Sequence, residues 1–318
     1  MGIKGLSGYI KRRGVRGTST LSLKDLEGWR IAVDASIYLY RYRAQDELVS
    51  SLYSMVSLLQ HYGAELLFVF DGRPPPEKLE ELEQRRLRRV EARAELTRLE
   101  SIIPDGREDP KALSAQIQRL KRQCVRLTDT DITSAKSLLD LMGVGYVTAI
   151  GEAETLCAKL VQRRFVDAVL SDDTDMFMYG CGGILRYLSL LHETVVFYST
   201  PDIMRSLNMD EEDFRVVCAL AGTDYSPSHC KFAQVMELYE DYVKTESEHG
   251  FHAWLQLRAE WKPLDVNLSD VISLYDLDAV QVPKCVRTRG GGKMGNPLPP
   301  DKAGLRKFLS AHDFLFAE

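Results

Sequence analysis

Several things are scarce in this 318-residue chain, and each scarcity removes a class of explanation. The six cysteines (Cys124, Cys157, Cys181, Cys218, Cys230 and Cys285) form no Cys-x-x-Cys pair and keep no regular spacing with histidine. A disulfide framework and a structural zinc site are thereby disfavoured, and free thiols in a reducing compartment are expected. No apolar run approaches the roughly 20 residues that a bilayer-spanning helix needs. Internal repeats and long low-complexity tracts are missing as well. Positive charge is not in excess: Lys and Arg total 41 against 46 Asp and Glu, for a net charge of −5. Nucleic-acid-binding domains tend to be basic, so bulk charge gives no such hint and the placement of charges must decide. The start, Met1-Gly2-Ile3-Lys4-Gly5-Leu6, is not a signal peptide, and Leu6 stands where a myristoylation pattern wants Ser or Thr. An intracellular protein, nuclear or cytoplasmic, without membrane attachment is expected.

What is present is an alternation of strand and helix signals. Short apolar runs rich in β-branched and aromatic residues read as buried strands at Arg30 to Val33, Leu66 to Phe70, Gly145 to Ala149 and Val166 to Leu170. Helical patterns lie between or after them, at Val49 to His61, Thr133 to Met142 and Phe214 to Leu220. This order predicts an α/β fold with a mostly parallel central sheet and helices on both faces. The segment Glu77 to Arg126 differs: it is rich in Glu, Arg, Leu and Ala, with a break at Pro104-Asp105-Gly106. It predicts two charged helices rising out of the α/β body, which on composition alone suits a solvated hairpin equally well. The stretch Arg287 to Gly295 is basic and glycine-rich, and reads as a linker before it reads as a phosphate contact.

The acidic residues carry the most information. Three strand candidates run into Asp34, into Asp71, and into Asp172, Asp173 and Asp175. A fourth is followed by Glu152 and Glu154 at the mouth of the next helix, and Asp224 follows an apolar helix. A single Asp after a strand is most often a turn or a helix cap. Recurrence over five segments is harder to explain that way. In a parallel sheet these positions share the carboxyl edge, where sites form. Carboxylates gathered there repel one another unless cations neutralise them. Hard oxygen donors suit magnesium or manganese, and two such ions about 3.5–4 Å apart can serve phosphodiester hydrolysis.

These residues resemble the flap endonucleases and the related repair nucleases and 5′ exonucleases of the Rad2 and XPG type. The resemblance rests on Met-Gly-Ile-Lys-Gly-Leu at the start, Ile31-Ala32-Val33-Asp34-Ala35-Ser36 with Tyr40, and Val69-Phe70-Asp71-Gly72-Arg73-Pro74-Pro75. It continues through Leu141-Met142-Gly143, Gly151-Glu152-Ala153-Glu154-Thr155-Leu156-Cys157-Ala158, Ser171-Asp172-Asp173-Thr174-Asp175 and Ala221-Gly222-Thr223-Asp224-Tyr225. It implies that Asp34, Asp71, Glu152, Glu154, Asp173, Asp175 and Asp224 hold two magnesium ions, which manganese can replace. It implies that Lys78 and Arg85, seven residues and nearly two helical turns apart, flank the scissile phosphate. Gly2 would lie close to the site, Tyr40 would stack on a base, and Arg86, Arg88, Arg89 and Arg93 would extend the positive surface. Branched or flapped DNA is then the partner, and the helices within 77–130 form a gateway over the site. A nuclease core spanning 1–240 and a helical, DNA-binding C-terminal extension spanning 241–318, packed on that core, complete the expected layout.

Two departures qualify what the resemblance implies. Between Tyr40 and Val49 the chain is shorter than the family's segment, which ordinarily helps to split the duplex and read a one-nucleotide 3′ flap. After Asp224, Tyr225 to Gln234 lacks the glycines of a helix-two-turn-helix grip on duplex DNA, a grip often served by potassium. No sliding-clamp motif is recognisable, and the short end suits a compact member of the family, viral sources included. Oligomeric state is not legible. Three rival readings stay open: a 5′ exonuclease or junction-resolving nuclease of the same family, a DNA-structure-binding protein that does not cut, and a small-molecule phosphatase suggested by Phe70-Asp71-Gly72. The phosphatase pattern wants an acid two residues after Asp71, where Arg73 stands.

Overall fold

The apolar runs that read as strands form the middle of one seven-stranded sheet. The computed structural model describes residues 2–102, 110–225, 230–245, 247–258, 268–286, 294–295, 299–312 and 314. Its strands are β1 (Thr18–Ser22), β2 (Arg30–Asp34), β3 (Glu65–Phe70), β4 (Gly145–Thr148), β5 (Ala168–Leu170), β6 (Gly183–Ser189) and β7 (Thr194–Ser199). They lie in the order β1-β7-β6-β5-β2-β3-β4. The five from β6 to β4 pair in parallel, and β7 and β1 add an antiparallel margin. The mostly parallel sheet is as expected. β1, β6 and β7 were not foreseen: β1 is a Ser/Thr-rich edge and β6 carries a buried Arg186, so neither shows an apolar run.

Strand side chains alternate between two helical layers. Ile31, Val33, Leu66, Phe68 and Leu170 face α2 (Ala35–Arg43), α3 (Leu48–His61), α6 (Asp129–Met142) and the late helix α14 (Lys302–Ser310). Ala32, Leu67, Val69 and Val169 face the opposite layer. That layer contains α1 (Leu6–Arg13), α7 (Ala153–Gln162), the single turn α8 (Asp175–Met178), α9 (Thr200–Leu207), α10 (Glu211–Ala221), α11 (Phe232–Lys244), α12 (Phe251–Gln256) and α13 (Leu268–Ser273). Residues beyond 240 therefore contribute to both cores, Phe251, Trp254 and Tyr275 to one and Leu309 to the other. Caps set the helix ends that periodicity had left a few residues off. The α6 start is fixed by a reciprocal Thr128–Asp131 capping box, and Gly143 closes it in the left-handed conformation.

The charged segment forms α4 (Leu79–Ile102) and α5 (Pro110–Cys124), which pack on each other. The break between them, 103–109, lies outside the described residues, as do 287–293 of the glycine-rich stretch and 226–229 after Asp224. Lys78, Arg85, Ala92 and Leu99 recur every seven residues and share one face. Ala92 and Leu99 are buried at the upper part of that face, while Lys78 is buried at its foot.

The foot of α4 is fixed by a close backbone approach. The Gly72 amide donates to the Gly151 carbonyl at 2.7 Å and the Arg73 amide to that of Ile150 at 3.0 Å. A Cβ on Gly72 would fall 2.0 Å from the Ala149 carbonyl oxygen, so the β3 exit and the β4 exit can meet only at a glycine. Gly72→Ala is expected to lower stability by about 1–3 kcal/mol, read as a lower urea midpoint with unchanged slope. An unchanged midpoint would show that this approach does not constrain the fold.

Candidate metal centre

Strand order locates the site. From β2 the chain winds outward through β3 and β4 on one side, and through β5 and β6 on the other. The crevice between the carboxyl ends of β2 and β5 is therefore the topological switch point, the place where parallel sheets bind ligands. Asp34 is the last residue of β2, and Ser171 to Asp175 leave β5 beside it.

The chain brings all seven predicted acids to this crevice. Asp34 is buried and accepts from the Ser171 hydroxyl at 3.0 Å. Asp71, at the exit of β3, takes the Ala153 amide at the start of α7 on one oxygen (2.8 Å) and the Ser36 hydroxyl on the other. Glu152 occupies the N-cap position of α7 without making a cap bond. Its oxygens instead meet the Lys78 ammonium and the Tyr225 hydroxyl, the latter at 2.6 Å. Glu154, in the first turn, accepts from Lys78 at 3.4 Å and from Tyr179 at 3.3 Å. Asp173 accepts the Asp175 amide at 3.0 Å, and Asp175 accepts the Tyr275 hydroxyl at 2.9 Å. Asp224 takes the Gly2 amide on one oxygen and Arg85 on the other, both at 2.9 Å.

Burial and mutual repulsion set the electrostatics. Asp34 is pushed up to about 8, first by burial and then by Asp71 and Asp173, with the Ser171 hydroxyl and the Ile37 amide opposing. Asp175 also rises to about 8, through burial and then Asp173 and Asp224. Burial likewise raises Glu154 and Asp173, although Lys78 offsets the first and the Asp175 amide the second. Burial disfavours the charge on Lys78, yet Glu154 and Glu152 outweigh it and hold the lysine above its ordinary range. Two basic side chains thus answer part of an acidic charge that further cations would complete.

The donor set fits hard divalent ions. Among the described residues, no three such groups close around a point as a ready-made cage. Magnesium does not require one, because it keeps several waters and binds through one or two carboxylates together with substrate phosphate. One buried oxygen, Asp175 Oδ1, has no hydrogen-bond partner among the described residues, as an oxygen reserved for a cation would.

The remaining predicted residues divide. Gly2 is at the site, and its role is more structural than expected. It has φ +78°, and a Cβ there would lie 2.4 Å from Asp173 Oδ1 and from Thr174 Oγ1, so a side chain would displace the acidic loop itself. Lys78 and Arg85 touch the carboxylates directly. Tyr40 is exposed on α2, next to Arg41, whose guanidinium pairs with Asp172. Arg86 lies on the solvent side of α4, with its guanidinium on Glu83 at 3.4 Å, whereas Arg89 is half-buried between Arg85 and Ala92 on the inner stripe. Sequence reasoning overlooked Ser36, Ser171, Tyr179, Tyr225 and Tyr275. Ser36, Ser171 and Tyr225 stand inside the family motifs, but nothing in the sequence ties Tyr275 to residues a hundred positions earlier.

Comparison with known proteins identifies relatives of the chain. A model of the XPG N-terminal domain matches residues 1–92, and one of the XPG I-region matches residues 143–224. Flap endonuclease 1 of Babesia bovis is 34% identical over 302 residues, covering 85% of this chain and 43% of the relative. The chain spans about half the length of the curated relatives it matches. Its fold is similar to the catalytic core of Rad2 solved with DNA substrate (TM-score 0.66, 21% identity, 98% of this chain and 95% of that one). It is also similar to the Holliday junction-resolving enzyme GEN1 solved with product DNA and a magnesium ion (TM-score 0.63, 21% identity, 96% of this chain and 72% of that one).

A stability experiment tests the charge balance directly. With folded pKa values of about 8 against 3.8, Asp34 and Asp175 make the folded state the better proton binder between those limits. Their contribution is full below the lower value and is lost as pH rises through the upper one. In chelator the melting temperature should fall between pH 5.5 and 8.5, and magnesium should raise it far more at the higher pH. An equal magnesium effect at both pH values would contradict the assignment.

Proposed function

Since the chain belongs to the XPG and Rad2 family of structure-specific nucleases, we propose that it hydrolyses DNA phosphodiesters where single strand meets duplex, releasing 5′ flaps in a magnesium-dependent reaction. The observation that carries this reading is the convergence of acids from five separate segments on the β2–β5 crevice, answered there by Lys78 and Arg85. Two magnesium ions bound there, or manganese in their place, would supply a water nucleophile at neutral pH and offset charge on the leaving oxygen. Asp34, Asp71, Glu152, Glu154, Asp173, Asp175 and Asp224 are the proposed ligands, directly or through water.

The chain's own groups account for the rest. Lys78 and Arg85 enter from the foot of α4 and stand between the acids and any phosphate that approaches from that side. Fixed cations placed there stabilise negative charge as it develops on the phosphate. Tyr40, exposed beside the crevice, offers a ring on which a base of any sequence can stack. Arg86 and Arg89, with Arg88 and Arg93, line α4 with charge for the backbone of a strand passing the helical gateway. Such contacts are phosphate contacts, so binding should weaken steeply with salt. DNA as substrate implies a nuclear or cytoplasmic place of work. No helix among the described residues is long and apolar enough to cross a membrane.

The connection between α2 and α3 is only Ala44 to Glu47. It leaves little structure to read a one-nucleotide 3′ flap, so single-flap and double-flap substrates should be cut at similar rates.

End-labelled 5′-flap, nicked, gapped and four-way-junction DNAs, assayed with magnesium and with chelator, test the proposal. Release of an intact flap in magnesium is expected. Mononucleotide ladders from nicks would instead indicate an exonuclease, and symmetric cuts in the four-way junction a resolvase. Asp173→Ala should abolish cleavage with DNA binding nearly intact, and Lys78→Ala or Arg85→Ala should slow it about 10²–10³-fold. Normal cutting by Asp173→Ala, or binding without cutting in the unaltered protein, would overturn the reading.

A further inference from the structure

Three tyrosines make a frame behind the acidic site. Tyr179 and Tyr225 each pack against Tyr275, with ring centroids 4.9 and 5.5 Å away. Each gives its hydroxyl to a different carboxylate: Tyr179 to Glu154, Tyr225 to Glu152 and Tyr275 to Asp175. Of the three, Tyr275 comes from beyond residue 240, in the segment that follows α13, and it is fully buried.

We propose that Tyr275 is a positioning residue for Asp175, the last member of a hydrogen-bonded relay that presents one oxygen of that carboxylate to a metal ion. The inference rests on the metal-dependent reading above and goes beyond it by giving the C-terminal segment a part in the site. The relay begins at the Tyr225 amide, which donates to Thr223 Oγ1 at 3.2 Å. The Thr223 side chain also hydrogen-bonds the Tyr275 hydroxyl. The Tyr275 hydroxyl in turn donates to Asp175 Oδ2 at 2.9 Å. Hydrogen bonds linked in this way strengthen one another. The consequence falls on the other oxygen. Asp175 Oδ1 is buried with no hydrogen-bond partner among the described residues, and the tether on Oδ2 prevents the carboxylate from turning to relieve it. A buried acceptor left unpaired is costly, and a cation at Oδ1 removes that cost.

A buried tyrosine that merely needs a partner would give the same picture, so the test separates position from packing. Tyr275→Phe keeps the ring and its two aromatic contacts and removes only the hydroxyl. Magnesium and manganese binding to the full chain, measured by calorimetry without DNA, is expected to weaken about 10–100-fold. Flap cleavage should need correspondingly more magnesium, regain its rate at saturating metal and keep its KM for DNA. In an Asp175→Asn background the Tyr275→Phe change should have no further effect, because the two act as one unit. Thr223→Val, which breaks the relay one bond earlier and leaves the ring untouched, should shift metal affinity in the same direction and by less. Unchanged metal affinity in Tyr275→Phe, or an equal loss with and without Asp175, would overturn the proposal while leaving the nuclease reading in place. If the unaltered chain bound no magnesium at all, the nuclease reading would fall as well.

Discussion

Repulsion among carboxylates at one edge of the sheet is the constraint on which the rest depends. Parallel strands deliver Asp34, Asp71 and the Asp173–Asp175 loop to a shared crevice, where burial raises the cost of the charges on Asp34, Asp173 and Asp175. The structure meets this cost with donors on every side. Ser36 and Ser171 hold Asp71 and Asp34, the start of α7 holds Asp71 again, and three tyrosines hold Glu152, Glu154 and Asp175. Lys78 and Arg85 bring formal positive charge. Even so, Asp34 and Asp175 remain far above the ordinary carboxylate range. A fold that keeps acids in this condition sacrifices stability for a site, as functional sites often do.

The same constraint explains why α4 is anchored where it is. Its foot is tied to the acids by Lys78 and Arg85, and the glycine contact of β3 with the β4 exit fixes the turn leading into it. Seven residues farther along the same face the helix no longer meets the site, and Ala92 and Leu99 are buried there instead of a charge. One heptad-spaced stripe thus changes from chemistry to packing along its length. Charge on the solvent side of α4 is then free to serve an extended anion.

Much of this was legible because the signals were local. Short apolar runs mark buried strands, and β2, β3, β4 and β5 were found in this way within a residue or two. The acids could be grouped because parallel topology puts strand ends together without further information. The antiparallel margin was not legible: Thr18 to Ser22 has no apolar alternation, and Arg186 interrupts β6. Nor was the tyrosine frame. A tyrosine's sequence neighbours do not reveal which carboxylate its hydroxyl will reach, since Tyr275 and Asp175 are a hundred residues apart and meet only through tertiary packing. Resemblance alone put Gly2 near the acids, and the absence of space beside Asp173 is visible only in three dimensions.

The central claim is that these carboxylates form a site for divalent cations. It is tested most directly by counting ions: manganese titrated into the intact chain at pH 8 and followed by electron paramagnetic resonance, with and without flap DNA carrying an uncleavable linkage at the junction. The account predicts that binding saturates at two ions per chain in the presence of DNA and that Asp34→Asn lowers this number. Saturation at no ion, or a stoichiometry unaffected by Asp34→Asn, would contradict it.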